Sequence, residues 1–376
     1  MDVTVITTYR CDSKCSMCYI WKYPTAPSEE VSLKSLEKLP GGIDNLNVTG
    51  GEPTLRKDLM EICEILHPKA KKLEISSNGL NASVLEPIIK RFPHTKVRFS
   101  LEGFELTNNK IRGEEDGFNK KVNGLRRLKE LGGTDLGFAT VIQDDNVQEL
   151  AKLYQLTRKM GVELATSALH NAFQFHKSDN IPYNRTRVAR EIQNLITEML
   201  RTNSVKNWFR AYLNLGLMEK VLGHDRLIEC TAATDFIFVD PWSDVYACNV
   251  RPDLLTGNLE EQSWEEVFNG PKAVEIRKKV AACTQNCWMV TTARTAMRNP
   301  RLTFLPKLPV MAWVVLNKAK VTLGRDIDFD AYIDFNNIRH DLTAPDRPSY
   351  LGIPEKRKLH KKEEVHYTQF GEFFNR

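Results

Sequence analysis

The placement of its eight cysteines constrains this 376-residue chain more than any other feature. Cys11, Cys15 and Cys18 crowd one short stretch near the start, Cys230, Cys248, Cys283 and Cys287 gather late, and Cys63 stands alone. The chain opens Met-Asp-Val-Thr-Val-Ile-Thr-Thr, without the basic start, apolar stretch and small-residue cleavage site of a secretory signal. A cytoplasmic location is therefore expected. There thiols stay reduced, and clustered cysteines bind metal more often than they pair as disulfides. No apolar run reaches the ~20 residues that span a bilayer. A formal net charge of +5 is modest for this length and does not point to nucleic acid, whose binders concentrate basic residues on one face.

Residues 1–168 alternate short β-rich runs with helical patterns. Strands are expected at Val3–Thr7, Asn45–Thr49, Lys72–Ser76, Lys96–Leu101, Leu136–Ile142 and Val162–Ser167, with helices near Arg56–Leu66, Val84–Arg91, Phe118–Leu131 and Val147–Met160. Six such units predict an α/β fold, a partial (β/α)6 TIM-like barrel. Chemistry in such barrels gathers in the loops after the strand C-termini, where the first cysteine loop, Gly50–Pro53 and Ser76–Gly79 all fall. Residues 169–222 read as a helical extension, most periodic over Val188–Leu200. Phe236–Val239 and Asp244–Ala247 flank Asp240-Pro241-Trp242-Ser243 in a hairpin pattern. The expected division is a core over 1–222, a small cysteine-bearing domain over 223–295, and a basic, apolar, helical or irregular extension over 296–376. Within the extension, Glu355–Glu364 is dense in charge and expected to be mobile.

Cys11-x3-Cys15-x2-Cys18 puts three thiolates on one loop. A [4Fe–4S] cubane held by three cysteines keeps one iron open to another ligand. A zinc site with a distant fourth ligand is the alternative, although zinc motifs favour paired two-cysteine hooks. The surrounding motifs are Asn47-Val48-Thr49-Gly50-Gly51-Glu52-Pro53, Ser76-Ser77-Asn78-Gly79, and Ser100-Leu101-Glu102-Gly103 with Arg112-Gly113. Together with the cysteines they resemble the radical S-adenosylmethionine (SAM) superfamily. The resemblance implies a [4Fe–4S] cluster on Cys11, Cys15 and Cys18. It implies that the turn of Gly50, Gly51, Glu52 and Pro53 binds the methionine amino group, that Ser100 and Arg112 belong to the region meeting the ribose and carboxylate, and that Ser76 and Asn78 also contact the cofactor. It also implies one-electron cleavage of S-adenosylmethionine, fed by a flavodoxin- or ferredoxin-type reductant, to a 5′-deoxyadenosyl radical that abstracts hydrogen. Two positions depart from the family pattern: Met17 stands where an aromatic is common, and Glu102 where aspartate is usual.

Cys230-x17-Cys248 and Cys283-x3-Cys287, with Gly257-Asn258-Leu259-Glu260 and Trp264-Glu265-Glu266-Val267-Phe268 between them, resemble the auxiliary-cluster domains called SPASM and twitch. Four cysteines fit the shortened, single-cluster form, and the resemblance implies a second [4Fe–4S] cluster; a four-cysteine zinc site is the alternative. Ser243 stands five residues before Cys248, where these domains prefer glycine. The expected function is oxidation of a small-molecule or glycan-type substrate, a lipid-linked one included, in the manner of cyclitol dehydrogenases. Alternatives are peptide or protein modification, epimerisation and, from another class, a non-catalytic electron carrier. Peptide modification is expected to be less favoured because the first strand begins at residue 3. No catalytic side chain is assigned. Cys63, on a stripe with Leu59, Ile62 and Leu66, is expected in the core, with hydrogen donation in an epimerase as its sharper alternative. His170 and His176 are expected on a surface loop. Leu308–Leu316, followed by Lys318 and Lys320, is expected as a core helix, or as an interfacial helix making peripheral membrane contact over 308–323.

Overall fold

The computed structural model describes residues 1–298 and 304–339. The β-branched runs form strands β1 (Asp2–Ile6), β2 (Asn45–Thr49), β3 (Leu73–Ser77), β4 (Lys96–Ser100), β5 (Asp135–Ile142) and β6 (Glu163–Ala168), and each pairs in parallel with the next. Parallel neighbours require crossovers, supplied by α1 (Leu33–Glu37), α2 (Leu59–Leu66), α3 (Glu86–Arg91), α4 (Glu105–Arg112), α5 (Gly117–Glu130) and α6 (Leu150–Met160). The result is the open partial barrel that the sequence predicts.

Side chains alternate across a strand, and here the alternation separates core from chemistry. Val3, Val5, Leu46, Val48, Ile75, Val97 and Phe99 enter the main apolar core with the helices. The other set lines cavities at the two ends of the strands: Thr49, Ser76, Ser100 and Val141 at the C-terminal end, and Asn45, Lys96 and Asp135 at the N-terminal end.

Two long helices follow, α7 (Arg185–Arg201) and α8 (Val205–Leu222), and then β7 (Phe236–Val239), β8 (Asp244–Tyr246) and β9 (Leu255–Asn258). The β7–β8 hairpin lies where the sequence places it. It also extends the barrel sheet, because β7 pairs in parallel with β1, Asp2 opposite Phe236. The nine strands run in the order β6-β5-β4-β3-β2-β1-β7-β8-β9, so the sheet continues across the boundary expected at 222/223. Helices α9 (Trp264–Asn269), α10 (Pro271–Ala281), α11 (Val290–Arg298) and α12 (Phe304–Thr322) complete the described chain. Val310, Trp313, Val314 and Asn317 of α12 are buried, and the helix packs on α7 and α8. Among the described residues no helix is long and apolar enough to cross a membrane. Glu355–Glu364 lies outside the described residues.

Candidate functional site

The first cysteine loop leaves the C-terminal end of β1 and is held by two segments, the end of α4 and the stretch after β6. Lys14 N and Ser16 N donate to Arg112 O and Ile111 O at 3.0 and 2.9 Å. Asn180 Nδ2 donates to Met17 O at 2.8 Å, and Tyr19 N to Phe175 O at 2.8 Å. Cys11, Cys15 and Cys18 line a cavity of about 210 Å³. Burial pushes the Cys11 thiol up to about 12, against a backbone hydrogen bond from Ser13, and Cys15 adds to the rise. Burial raises Cys18 too, reinforced by Cys15 and Cys11. Three mutually repelling buried thiols become thiolates only beside compensating positive charge, which a bound iron cluster provides. Among the described residues no three His, Cys, Asp or Glu side chains converge tightly enough to hold a single metal ion.

The turn after β2 crosses this loop at backbone distance. Gly51 N donates to Thr8 O and Glu52 N to Arg10 O, both at 2.7 Å. A Cβ on Gly51 would sit 2.2 Å from Arg10 O, and one on Gly50 2.7 Å from Thr8 O, so only glycine permits the crossing. Gly50 and Gly51 line the cavity, as do Ser76, Asn78, Ser100 and Arg112. Glu52 and Pro53 lie behind it. Both Glu52 carboxylate oxygens are engaged: Oε1 accepts from Thr54 N and Oγ1 and from Ser77 Oγ at 2.8–2.9 Å, and Oε2 from Asn78 N at 2.5 Å. Glu52 thus braces the β2 turn against the β3 turn. Arg112 is buried between Glu102 and Glu114, each at 3.4 Å. Desolvation opposes its charge, but Cys15 and these carboxylates outweigh it and hold the guanidinium firmly protonated. Glu102, the departure from aspartate, therefore anchors this cation.

Cys230, Cys248, Cys283 and Cys287 line another cavity, of about 500 Å³. Cys230 precedes β7 and Cys248 follows β8, which runs back along β7. This places them at the opposite end of the sheet from the first loop, a five-residue strand or about 17 Å away. Burial raises the Cys248 thiol to about 12, with Cys287 and Cys230 adding to it. Burial raises Cys287 to about 11 against the pull of Arg226, whose Nη1 donates to Cys287 O. Trp288 locks this end in place. Its Nε1 donates to Leu213 O at 2.8 Å, and its ring lies against Gly216, where a Cβ would come within 2.1 Å. Ser243 adopts a left-handed conformation (φ 66°). The hairpin thus keeps a glycine-like turn, braced by Leu259 N to Ser243 O at 2.8 Å and Ser243 Oγ to Glu260 Oε1 at 3.2 Å.

The model of the radical SAM superfamily matches residues 5–157, and that of an iron-sulfur cluster-binding domain (SPASM) matches residues 230–288. The chain belongs to the radical SAM superfamily. Its cofactors are accordingly S-adenosylmethionine and [4Fe–4S] clusters. Among its relatives is a probable GTP 3′,8-cyclase of Sulfurisphaera tokodaii, 28% identical over 188 residues, which cover 47% of this chain and 60% of that protein. Another is the antilisterial bacteriocin subtilosin biosynthesis protein AlbA of Bacillus subtilis, 23% identical over 282 residues, covering 72% and 60%. The chain spans about 40 to 60% of the length of the first curated relatives it matches. In fold it is similar to native anSMEcpe with bound AdoMet and Cp18Cys peptide, with a TM-score of 0.55 and 15% identity over 86% of this chain and 99% of that one.

One expectation about this radical SAM chain changes, and one alternative falls away. His170 and His176 are not on a surface loop: both are buried, because the segment after β6 folds over the cysteine loop. His170 lines the first cavity, and its Nδ1 donates to Ala168 O at 2.9 Å, which fixes the orientation of the ring. His176 stacks on Tyr23 at 4.3 Å away from the cavity, and burial lowers it to about 4. Cys63 is fully buried in the main core with Leu59, Ile62 and Leu66 and lines none of these cavities, which removes it as a hydrogen donor. Met17 and Phe175 line the cavity as well, together with Trp21 and Leu169, which sequence reasoning missed. The cue was the cluster of aromatics in Phe173–Phe175 directly after β6.

Proposed function

We propose that this chain is a radical SAM oxidoreductase that removes hydrogen from a small-molecule or glycan-type substrate and completes a two-electron oxidation. The roof over the first cavity carries the reading. Residues 169–180 lie across the cysteine loop through the Phe175 and Asn180 hydrogen bonds and bring His170 and Phe175 to the cavity wall beside the cofactor residues, where a substrate would meet them. In this proposal Cys11, Cys15 and Cys18 hold the cluster that leaves one iron open. The backbone of Gly50 and Gly51, with Ser76, Asn78, Ser100 and Arg112, receives the cofactor, while Glu52 and Pro53 shape its turn. When bound, cofactor and cluster supply the hydrogen-abstracting radical. The protein's part is to exclude water beneath the roof and to fix the carboxylate end through Arg112. His170 Nε2 accepts the proton of a substrate hydroxyl. The residual electron needs an acceptor, and Cys230, Cys248, Cys283 and Cys287 hold a centre fit for it at the far end of β1.

The division into a 1–222 core, a 223–295 auxiliary domain and a 296–376 extension belongs to the same proposal. So do a flavodoxin or ferredoxin reductant and a cytoplasmic location with peripheral membrane contact through 308–323. Peptide modification is the second reading, favoured by the name of the subtilosin relative and by the peptide in the similar solved structure.

Anaerobic turnover with dithionite and S-adenosylmethionine in heavy water tests the reading on candidate alcohols and peptides. The expected product is two hydrogens lighter and carries no deuterium on carbon; deuterium on carbon without a change in oxidation state sinks it. His170→Gln is expected to slow product formation about 100-fold while 5′-deoxyadenosine still forms.

A further inference from the structure

A larger cavity, about 640 Å³, opens at the N-terminal end of the barrel strands, away from the first cysteine loop. Lys72, Lys96, Lys206, Arg210, Arg294 and Arg298 line it, over apolar wall from Phe209, Leu213, Met297 and Val310. Many of these cations have partners: Arg294 and Arg298 pair with Asp2, Lys96 with Glu74, Lys206 and Arg210 with Glu163. Arg98 bridges Asp135 and Glu163 beneath them. Among the described residues, seven cations thus face four carboxylates. A ring that served only to tie strand ends together would come close to neutrality; this one keeps an excess of three positive charges.

The apolar wall continues outward. Met311 lines the cavity and is 45% exposed, and Val315 (59%), Leu316 (51%) and Leu323 (71%) extend it as a stripe along and just past α12. The stripe lies opposite the buried face of Val310, Trp313 and Val314. From residue 276 to residue 325 the sequence has ten Lys or Arg and no Asp or Glu. An apolar stripe beside a cavity whose described cations outnumber its carboxylates is complementary to an anionic bilayer, whose potential attracts each nearby lysine or arginine. No described helix is able to cross the bilayer, so α12 would lie on it.

We propose that this end of the molecule docks on anionic phospholipid membrane, the α12 stripe entering the acyl boundary and the cationic cavity taking phosphate headgroups. The proposal rests on the peripheral-contact reading above and is independent of the radical chemistry. It also orients the enzyme: the catalytic cavity sits at the other end of the strands and faces away from the bilayer. Docking then localises the enzyme and does not feed it a lipid-linked substrate.

The test is sedimentation of the full, cluster-reconstituted chain with phosphatidylcholine vesicles, with and without phosphatidylglycerol. At least tenfold tighter binding to the anionic vesicles is expected, lost at about 0.5 M salt. The double variant V315E/L316E changes only exposed side chains. It should bind at least tenfold more weakly with iron content and 5′-deoxyadenosine formation unchanged. K72A/K206A should weaken anionic binding by about an order of magnitude. Equal binding to both vesicle types, or V315E/L316E binding like the parent, would overturn the proposal. So would stabilisation by soluble glycerol phosphate without vesicle binding, which would assign the cavity to free phosphate esters. Loss of radical activity with docking intact bears on the function proposed above and leaves this one standing.

Discussion

Cys11, Cys15 and Cys18 come from eight consecutive residues, whereas Cys230, Cys248, Cys283 and Cys287 are drawn from fifty-eight. The first set is presented by one loop, and the rest of the barrel supplies its walls and roof. The second set exists only when the β7–β8 hairpin, the end of α10 and the Trp288 anchor on α8 come together. A site written on one loop is legible as a motif and tolerates changes elsewhere. A site assembled from distant segments inherits the stability of everything between them. The two also differ in capacity, since three thiolates leave one vertex of a cubane open while four close it.

The sharpest break of the comparison is chemical. Cys15→Ala should reduce 5′-deoxyadenosine formation to background, while Cys248→Ala retains it and loses product; each should lower iron from about eight to about four per chain. If Cys248→Ala abolishes cofactor cleavage, the two sites are not separable. The next effect concerns assembly. Trp288→Ala should cost about 3–5 kcal/mol and empty the second site first, read as iron loss with cofactor cleavage preserved. Parallel loss from both sites would contradict the modular contrast.

A third effect belongs to the roof of the first site. Burial holds His176 at about 4, below its ordinary value near 6.5. Protonation therefore favours the unfolded chain. The contribution is fully present above about pH 6.5 and is lost as pH falls toward about 4, up to about 3 kcal/mol. Denaturant titrations across that window should show the slope, and His176→Phe should flatten it; an unchanged slope would acquit His176. The smallest effect is at the second site. Ser243→Gly relieves a left-handed serine and forfeits the Glu260 contact, so a net gain of at most about 1 kcal/mol is expected. A lower denaturation midpoint would show that the hydrogen bonds outweigh the strain.

What the sequence made legible follows the same contrast. Strand positions, the hairpin and the burial of Cys63 are local patterns of period two or 3.6, and all appear within a residue or two of expectation. Helix α4 was not anticipated, because its Leu-Thr-Asn-Asn run carries no apolar stripe; buried Asn108 holds it by accepting from Glu102 N at 3.1 Å. The burial of His170 and His176 depends on a segment folding back over a loop some 150 residues earlier, which no local pattern reports. Gly50 and Gly51 were readable as cavity residues because their role is backbone approach. Glu52 was not readable as a brace, since its partners Ser77 and Asn78 come from the next strand. The pairing of β7 with β1 was equally hidden, a contact between segments more than 230 residues apart.

That pairing has a consequence for any attempt to dissect the molecule. β1 is flanked on both sides, by β2 and by β7, and its Asp-Val-Thr-Val-Ile sequence carries no proline, lysine or bulge of the kind that protects an exposed strand. Expressed without residues 223–376, the barrel would present this strand as a bare template for another chain. Such a fragment should be recovered as aggregate, and soluble recovery would require a gatekeeping charge on β1, such as Thr4→Lys, to stand in for the missing hairpin.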